Sequence, residues 1–272
     1  MAEAALPLLV QPADLAARLN TPELLIVDLS QPATHARAHI PGAVHLDYAR
    51  LVSPQPPAAA MLPTPEQLAE VLGAIGLTPD KHVVAYDEEG NGRAARLLWT
   101  LEAVGHTRAS LLDGGLRAWM GEQRSVESGV QRAAPAGRYP VRLNNHVIAD
   151  KDYIRAHLGD AGTVVLDARS PDEYSGKIKR SARGGHIPGA VNFNWTEAMD
   201  SARHSRLKTA QDLKQALEAL GVTPDKEIVT YCQTHHRSAH TYIVLKSLGY
   251  MRLKAYPGSW SEWGNLPDTP IE

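Results

Sequence analysis

Short apolar runs alternate along the chain with segments in which apolar residues recur at helical spacing. One such run, Ile228-Val-Thr230, leads into Tyr231 and Cys232, and a helical pattern then extends over residues 238–248. β-branched runs of this length are typical of buried strands, and apolar residues three or four positions apart are typical of helices. Strands that alternate with helices predict an α/β fold with a mainly parallel sheet covered by helices on both faces.

The same pattern occurs twice, with the second copy about 145 residues after the first. The segment His39-Ile-Pro-Gly-Ala-Val44 recurs at 186–191, and the segment 76–81 recurs at 221–226 with a single leucine-to-valine change. A repeat of this length, present only twice, is typical of duplicated domains and not of a solenoid. We therefore expect two tandem domains of the same fold.

Each half offers the same series of elements. Matching strands are predicted at 24–28 and 163–167, and Thr64 and Thr209 are predicted N-caps of amphipathic helices. The helix predicted at 93–104 is the counterpart of the one at 238–248. Two aspartates and two histidines occur in both halves, so we interpret them as structural: Asp28, Asp167, His39 and His186.

The two halves are joined by residues 121–146, which are rich in Gly, Pro and Arg and show little periodicity. Such composition is typical of a linker, so we expect domains at 1–120 and 147–272. The N-terminal counterpart of Cys232 is Asp87, which cannot act as a soft nucleophile. The sequence therefore predicts an inactive N-terminal domain and a catalytic C-terminal domain.

Cys232 is the only cysteine of the chain, and it stands between a predicted strand and a predicted helix. Backbone amides at a helix N-terminus favour an anion, and they lower the pKa of a thiol placed there. A lone cysteine is more often a buried small hydrophobe, but Cys232 lies at the polar end of its run. We interpret it as the nucleophile of an active-site loop completed by Gln233, Thr234, His235, His236, Arg237 and Ser238.

The roles of the charged loop residues stay open at this point. Arg237 either contacts an anionic substrate or extends into solvent, and His235 and His236 are either surface groups or donors at the pocket mouth. Adjacent Cys232, His235 and His236 are a poor zinc pattern because they lack a matched ligand elsewhere, so no metal is expected.

Two residues outside the loop are candidate substrate contacts. Arg183 ends the basic insertion 175–183, which the N-terminal half lacks, and we expect it or a neighbour to contact a substrate anion. Trp195 is expected to line the pocket, although a core position fits it nearly as well.

Composition narrows the classes of function. The chain has 272 residues, 43% of them hydrophobic, and a net charge of −2, so global charge gives no reason to expect nucleic-acid or membrane binding. Its first residues lack the basic start and long apolar run of a secretory signal, and one cysteine cannot form an internal disulfide. We expect a cytoplasmic protein without a cofactor.

The chain resembles the two-domain rhodaneses, the thiosulfate:cyanide and mercaptopyruvate sulfurtransferases, over essentially its full length. The resemblance rests on the paired His-Ile-Pro-Gly-Ala-Val segments, the pair Tyr231-Cys232 and the box Gly258-Ser-Trp-Ser-Glu-Trp263. It implies a persulfide on Cys232, a small anionic sulfur donor and a thiophilic acceptor such as cyanide or a sulfur-accepting protein. The loop resembles a variant found in bacterial thiosulfate sulfurtransferases, whereas Glu173 stands where such enzymes often carry arginine.

Three classes of function remain possible on sequence grounds. The first, which we favour, is a sulfurtransferase that uses thiosulfate, with 3-mercaptopyruvate as the alternative donor. The second is a cysteine phosphatase or arsenate reductase, whose loops place five residues between Cys and Arg. Here four residues separate Cys232 from Arg237, a spacing suited to a single sulfur atom. The third is a non-catalytic sulfur-binding module.

Overall fold

The computed structural model describes residues 6–130 and 133–272. Its strands are β1 (Leu9–Val10), β2 (Leu24–Asp28), β3 (Val44–His45), β4 (Ser53–Gln55), β5 (Ala58–Met61), β6 (His82–Tyr86), β7 (Ala109–Leu112), β8 (Thr163–Asp167), β9 (Val191–Asn192), β10 (Met199–Asp200), β11 (Arg206–Leu207), β12 (Glu227–Tyr231) and β13 (Leu253–Ala255). Its helices are α1 (Pro12–Ala16), α2 (Pro32–Arg37), α3 (Pro65–Ala74), α4 (Gly92–Ala103), α5 (Gly115–Gly121), α6 (Lys151–Ala156), α7 (Pro171–Tyr174), α8 (Ala210–Ala219), α9 (Arg237–Ser247) and α10 (Ser259–Trp263). Across these described ranges, no helix has the length and apolar character needed to cross a membrane.

Two parallel sheets form the centre of the fold. One has the strand order β1-β7-β6-β2-β3 and the other the order β13-β12-β8-β9, and every neighbouring pair within them is parallel. In both sheets the two long central strands pair over five residues, β2 with β6 and β8 with β12. The predicted tandem α/β fold is confirmed.

Local sequence explains where the elements begin. Strands β2 and β8 have the predicted bounds because each is a short apolar run that ends at an aspartate. The hydroxyl of Thr64 accepts a hydrogen bond from the N–H of Gln67, and Thr209 caps α8 through Asp212 in the same way. Helices α4 and α9 each begin one residue before the predicted position.

The two repeated aspartates at the strand ends are hydrogen-bond acceptors, as expected. Asp28 accepts from the N–H of Ser30 and pairs with His35, whereas Asp167 accepts from the N–H and guanidinium of Arg169. All of these side chains are buried. The same acceptor position thus has a different partner in each half, His35 in the first and Arg169 in the second.

The chain forms two compact units whose segments alternate along the sequence. The first takes in Met1–Leu51, Pro63–Leu143 and Asp200–Leu207. The second takes in Val52–Leu62, Asn144–Met199 and Lys208–Glu272. Each unit therefore includes a short segment that belongs, by sequence position, to the other half of the repeat, and sequence analysis did not predict this exchange.

Most of the predicted linker belongs to the first unit, where it packs against α3. The N–H of Ala136 donates to Gly73, and the N–H of Tyr139 donates to Ala69. A Cβ atom on Gly73 would lie 1.5 Å from the carbonyl oxygen of Gly137, so only glycine permits this crossing. These backbone hydrogen bonds, together with the buried side chain of Tyr139, whose hydroxyl lies 2.9 Å from Nδ1 of His106, hold the segment without an amphipathic face.

Candidate active site

The candidate nucleophile lies at the carboxyl end of the central strand β12. Tyr231 ends that strand, and Cys232 follows it with a side chain that is 0% exposed. Ligands of open α/β sheets bind at this edge, where the loops between strands and helices meet. The following loop turns through His235, whose φ of +53° is left-handed, before α9 begins at Arg237.

Helix α10 fixes the backbone of the loop. The N–H of Trp260 donates to the carbonyl of Cys232 at 2.9 Å, and the N–H of Ser261 donates to Gln233 at 2.9 Å. Ser259 has a left-handed φ of +51°, and its hydroxyl accepts from the N–H of Cys232 while donating to the carbonyl of Tyr256. The segment 258–263, one of the motifs behind the sequence resemblance, thus holds the backbone of Cys232 in place.

Several groups favour negative charge on the sulfur of Cys232. Burial raises the pKa of the thiol, but the positive charge of Arg237 and hydrogen bonds from Ser238 and Thr234 outweigh burial and lower that pKa below its ordinary value. Ser238 contributes both its hydroxyl and its N–H, and Thr234 contributes its N–H. The loop thus forms a nest of donors around one anionic atom.

His235 supports the hydroxyl that faces the sulfur. Its Nδ1 lies 2.8 Å from the Oγ of Ser238, and both side chains are fully buried. A hydroxyl that donates its proton to the sulfur must itself accept from the imidazole, so Nδ1 of His235 carries a proton. His235 is therefore a buried member of the loop and not one of the surface groups considered from sequence.

Arg237 is anchored by a carboxylate. Its Nη1 and Nη2 groups donate to the two oxygens of Glu173 at 2.6 and 3.0 Å. Burial raises the pKa of Glu173, but Arg237 and the capping Ser170 overcome it and bring that pKa down to about 2. Arg237 is thus held beside Cys232 by an ion pair, and it does not extend into solvent.

Glu173 owes its position to a capped turn next to a buried ion pair. Ser170 and Glu173 form a capping box at the start of α7, immediately after Arg169. The guanidinium of Arg169 binds Asp167 and the carbonyl of Gly185, and it lies 4.5 Å from the ring centre of Trp260. Sequence analysis missed the supporting roles of Arg169, Glu173 and Ser259. The Ser-x-x-Glu spacing of the capping box was the available signal for Glu173.

Trp195 lies beside the loop. Its ring centre is 5.9 Å from that of His236 and 5.4 Å from that of His240 in an edge-to-face arrangement. Burial, together with the nearby His236, lowers the pKa of His240 to about 4, so that ring is neutral at ordinary pH. The loop therefore has an aromatic wall made of Trp195 and these two imidazoles.

Arg183 is placed differently from the sequence expectation. Its guanidinium donates to the carbonyls of Trp263, Leu266 and Thr269 and to the hydroxyl of Thr269. Both Nη groups of this guanidinium donate to residues 263–269, so the side chain holds the C-terminal segment. We therefore correct the interpretation of Arg183 from a substrate contact to a structural clamp, which leaves its neighbours in the insertion as candidates.

The N-terminal counterpart of the loop is filled by a buried carboxyl group, that of Asp87, whose pKa is raised by burial. The carboxylate of Asp87 accepts hydrogen bonds from the N–H groups of Glu89, Asn91, Arg93 and Ala94, at 2.8 to 3.2 Å. The backbone N–H groups of this loop thus bind the carboxyl group of Asp87, whereas the corresponding groups of the second unit surround a thiol. The inactive role of the N-terminal half stays a prediction, and it now rests on this difference between the two loops.

In the N-terminal loop, Asn91 takes the hydrogen-bonding role that Ser259 has in the second unit. Its Oδ1 accepts from the N–H of Asp87, as the hydroxyl of Ser259 accepts from the N–H of Cys232. A Cβ on Gly115, the counterpart of Ser259, would lie 2.7 Å from that Oδ1. Five residues lie between Asp87 and Arg93, whereas four lie between Cys232 and Arg237. The side chain of Asn91 in the longer loop thus fits only because Gly115 has no side chain.

Comparison with known proteins agrees with this geometry. The rhodanese-like domain model matches residues 11–122 and 150–266. The chain is 51% identical to a thiosulfate sulfurtransferase of Azotobacter vinelandii, over 99% of this chain and 98% of that protein. It is 47% identical to a thiosulfate sulfurtransferase of Pseudomonas aeruginosa, over 98% of this chain and 97% of that protein.

Among solved structures, the chain is similar to SseA of Escherichia coli, described as a 3-mercaptopyruvate sulfotransferase with the rhodanese fold. The TM-score is 0.82 at 30% identity, and the match covers 94% of this chain and 99% of that one. Two matching domains and near-complete coverage of relatives above 30% identity lead to one conclusion: the chain belongs to the rhodanese family.

Proposed function

We propose that this protein is a thiosulfate sulfurtransferase that transfers the outer sulfur of thiosulfate to a thiophilic acceptor such as cyanide. The observation that carries the proposal is the sulfur of Cys232, which is buried yet surrounded by Arg237, Ser238 and Thr234, all of which favour its anion. Relatives that are 51% and 47% identical carry that enzyme name, which supports the same donor here.

The first half-reaction loads the enzyme. The thiolate of Cys232 attacks the outer sulfur of thiosulfate, a new S–S bond forms, and the S–S bond of the donor breaks. Its electron pair leaves with sulfite, so thiolate and thiosulfate give the persulfide anion and sulfite with charge conserved. The donors around the sulfur then serve the terminal sulfur of the persulfide, which also carries negative charge.

The second half-reaction unloads the enzyme. Cyanide attacks the terminal sulfur, a carbon–sulfur bond forms, and thiocyanate leaves while the electron pair of the S–S bond returns to Cys232 as thiolate. Each step is a displacement at one sulfur atom, first from sulfite to Cys232 and then from Cys232 to cyanide, so the cycle uses no cofactor. Because the thiol must be reduced to react, we propose a reducing compartment such as the cytoplasm, where a sulfur-accepting protein could take the place of cyanide.

The choice of donor is tested by steady-state kinetics on the purified protein. We expect kcat/KM for thiosulfate, measured as thiocyanate formed with excess cyanide, to exceed kcat/KM for 3-mercaptopyruvate by at least about tenfold. A preference for 3-mercaptopyruvate, as the name of a 31% identical Escherichia coli relative suggests for that protein, would overturn the assignment of the donor.

Two substitutions should move the titration of the nucleophile in opposite directions. Arg237 is the cation that keeps the thiol pKa low, so Arg237→Gln should raise that pKa and move the midpoint of Cys232 alkylation to higher pH. Glu173→Gln leaves Arg237 without its carboxylate and should move the midpoint to lower pH. Alkylation by iodoacetamide, followed by mass spectrometry at pH values from about 5 to about 10, measures both midpoints, since this range spans the usual pKa of a thiol.

The control is Arg155→Gln, which removes an ion pair with Asp268 in the same unit but outside the loop. Its midpoint should equal that of the wild type. If Arg237→Gln and Glu173→Gln shift the midpoint in the same direction, the electrostatic explanation of the low thiol pKa is wrong.

Asp87→Ala should leave sulfur transfer nearly unchanged. The variant removes the acceptor of four N–H groups, two of them buried and two partly buried, so it should lower the free energy of unfolding by about 1 to 3 kcal/mol while turnover per folded molecule stays within about twofold. The exposed Glu89 offers a matched control, since Glu89→Ala should change neither quantity. A large loss of turnover at unchanged thermal stability would show that the N-terminal loop takes part in the reaction.

A further inference from the structure

A hairpin from the N-terminal half of the sequence belongs to the unit that carries the thiol. Strands β4 and β5 pair in an antiparallel manner, and the segment Val52–Leu62 that contains them is part of the second unit. Ala58 and Ala60 of β5 are buried, whereas Ala59 between them is exposed. The second unit is therefore not built from the C-terminal half of the repeat alone.

Strand β5 is bonded to helix α10. The N–H of Ala59 donates to the hydroxyl of Ser261 at 3.1 Å, and this hydroxyl donates in turn to the carbonyl of Gly258 at 2.8 Å. Ser261 is buried, so its hydroxyl is used both as acceptor and as donor away from solvent. Helix α10 has only five residues, and a helix of that length depends on tertiary contacts for its position.

Helix α10 transmits its position to the active-site loop. The N–H groups of Trp260 and Ser261 donate to the carbonyls of Cys232 and Gln233, both at 2.9 Å. A displacement of α10 would therefore move Cys232 relative to the donors that favour its thiolate. A continuous chain of hydrogen bonds thus runs from β5 through α10 to the backbone of the nucleophile.

The first unit has the same arrangement with the halves exchanged. Its helix α5 holds the N-terminal loop, since the N–H of Leu116 donates to the carbonyl of Asp87 at 3.0 Å. The segment Asp200–Leu207 comes from the C-terminal half of the sequence but is part of this unit. The N–H of Leu207 donates to Asp113, just before α5, at 2.9 Å. In both units, a segment from the other half of the repeat thus secures the helix that holds the loop.

We propose that the N-terminal half takes part in sulfur transfer through the hairpin 53–61, which positions the Cys232 loop by way of α10. The hydrogen bond from Ala59 to Ser261 is the point at which the hairpin secures this helix. Ser261 is thus a positioning residue and does not touch the substrate. The inference rests on the proposed function, and it gives the N-terminal half a role that does not depend on Asp87.

A double-mutant cycle on the intact protein tests this hydrogen bond. Ser261→Ala removes the acceptor, and Ala59→Pro removes the donor N–H. Misplacement of a reacting group by about 1 Å can slow a reaction about a hundredfold, so we expect a partial displacement in each variant to lower kcat about five- to tenfold. Both variants should also move the midpoint of Cys232 alkylation to higher pH, because the thiol loses aligned donors. The double variant should be at most about twofold slower than the slower single variant, since both changes remove the same contact.

Ser247→Ala is the matched control. The hydroxyl of Ser247 donates to the carbonyl of Val244, three residues earlier, as that of Ser261 does to Gly258, but it lies at the far end of α9. This variant should keep the kcat and the alkylation midpoint of the wild type. Ser261→Thr retains the hydroxyl and should keep at least about half of the wild-type kcat. Comparison of the threonine and alanine variants replaces the cycle should Ala59→Pro melt earlier than the wild type.

Four outcomes would overturn the inference. The losses of the two single variants could multiply in the double variant, or Ser261→Ala could match Ser247→Ala in kcat and alkylation midpoint. Ser261→Ala could also melt earlier with an unmoved midpoint, which would show a purely structural role, or Ser261→Thr could be as slow as the alanine variant. Alkylation does not involve the sulfur donor. Failure of the wild type to turn over thiosulfate, with the midpoints shifted as expected, would therefore contradict the proposed function and not the positioning by the hairpin.

Discussion

Replacement of Cys232 by serine is expected to abolish sulfur transfer from thiosulfate to cyanide. A hydroxyl is a poor nucleophile toward sulfur and forms no persulfide, so turnover should fall at least about a thousandfold. The chain contains no other thiol that could relay the sulfur. Thiocyanate formation measured at saturating thiosulfate gives the loss directly.

The fold should survive this substitution. Serine is slightly smaller than cysteine, and its hydroxyl can accept the hydrogen bonds that Ser238 and Thr234 give to the sulfur. The melting temperature of Cys232→Ser should therefore stay close to that of the wild type. Residual activity above a few per cent of the wild type, in a folded variant, would exclude Cys232 as the sole carrier of sulfur.

Insertion of one alanine after His235 is expected to have the second largest effect. The N–H groups of Thr234 and Ser238 converge on Cys232 because His235 turns the chain in a left-handed conformation between them. An added residue displaces Ser238 and breaks its hydrogen bond with His235. Loss of one such donor costs about 2 to 4 kcal/mol of transition-state stabilisation, so sulfur transfer should fall by about two to three orders of magnitude.

The matched control is an alanine inserted after Gly159, in an exposed turn of the same unit between α6 and β8. It lengthens the chain equally but lies outside the loop, so it should preserve activity. The wild-type protein should not hydrolyse aryl phosphates to a measurable extent, because its loop has four residues between Cys232 and Arg237. Ready hydrolysis by the wild type, together with unharmed sulfur transfer in the loop variant, would contradict a loop sized for one sulfur atom.

The sequence alone was sufficient to predict the fold and the position of the thiol. Apolar runs that end at Asp28, Asp167 and Cys232 place these residues at the carboxyl edges of parallel strands, as observed. The exchange of the segments Val52–Leu62 and Asp200–Leu207 could not be predicted in this way. Short strands carry little periodicity, and their choice of partner depends on tertiary contacts such as that between Ala59 and Ser261.

Charged side chains were harder to assign than the backbone. Sequence position favoured Arg183 or a neighbour as a substrate contact and left Arg237 open between substrate and solvent. In the structure, Arg183 binds backbone carbonyls and Arg237 binds Glu173. A long side chain can reach acceptors far apart in sequence, and nothing in local spacing shows which acceptor it meets. Glu173 was noted only as a departure from a family pattern, and its role became clear from the ion pair.

Mass spectrometry of the intact protein after incubation with thiosulfate tests the persulfide mechanism most directly. The wild type should gain about 32 Da, the mass of one sulfur atom, and peptide mapping should place it on Cys232. Addition of cyanide should remove the gain and release one equivalent of thiocyanate. Absence of the adduct, an adduct that cyanide does not remove, or the same gain in Cys232→Ser would contradict a sulfur transfer carried by this thiol.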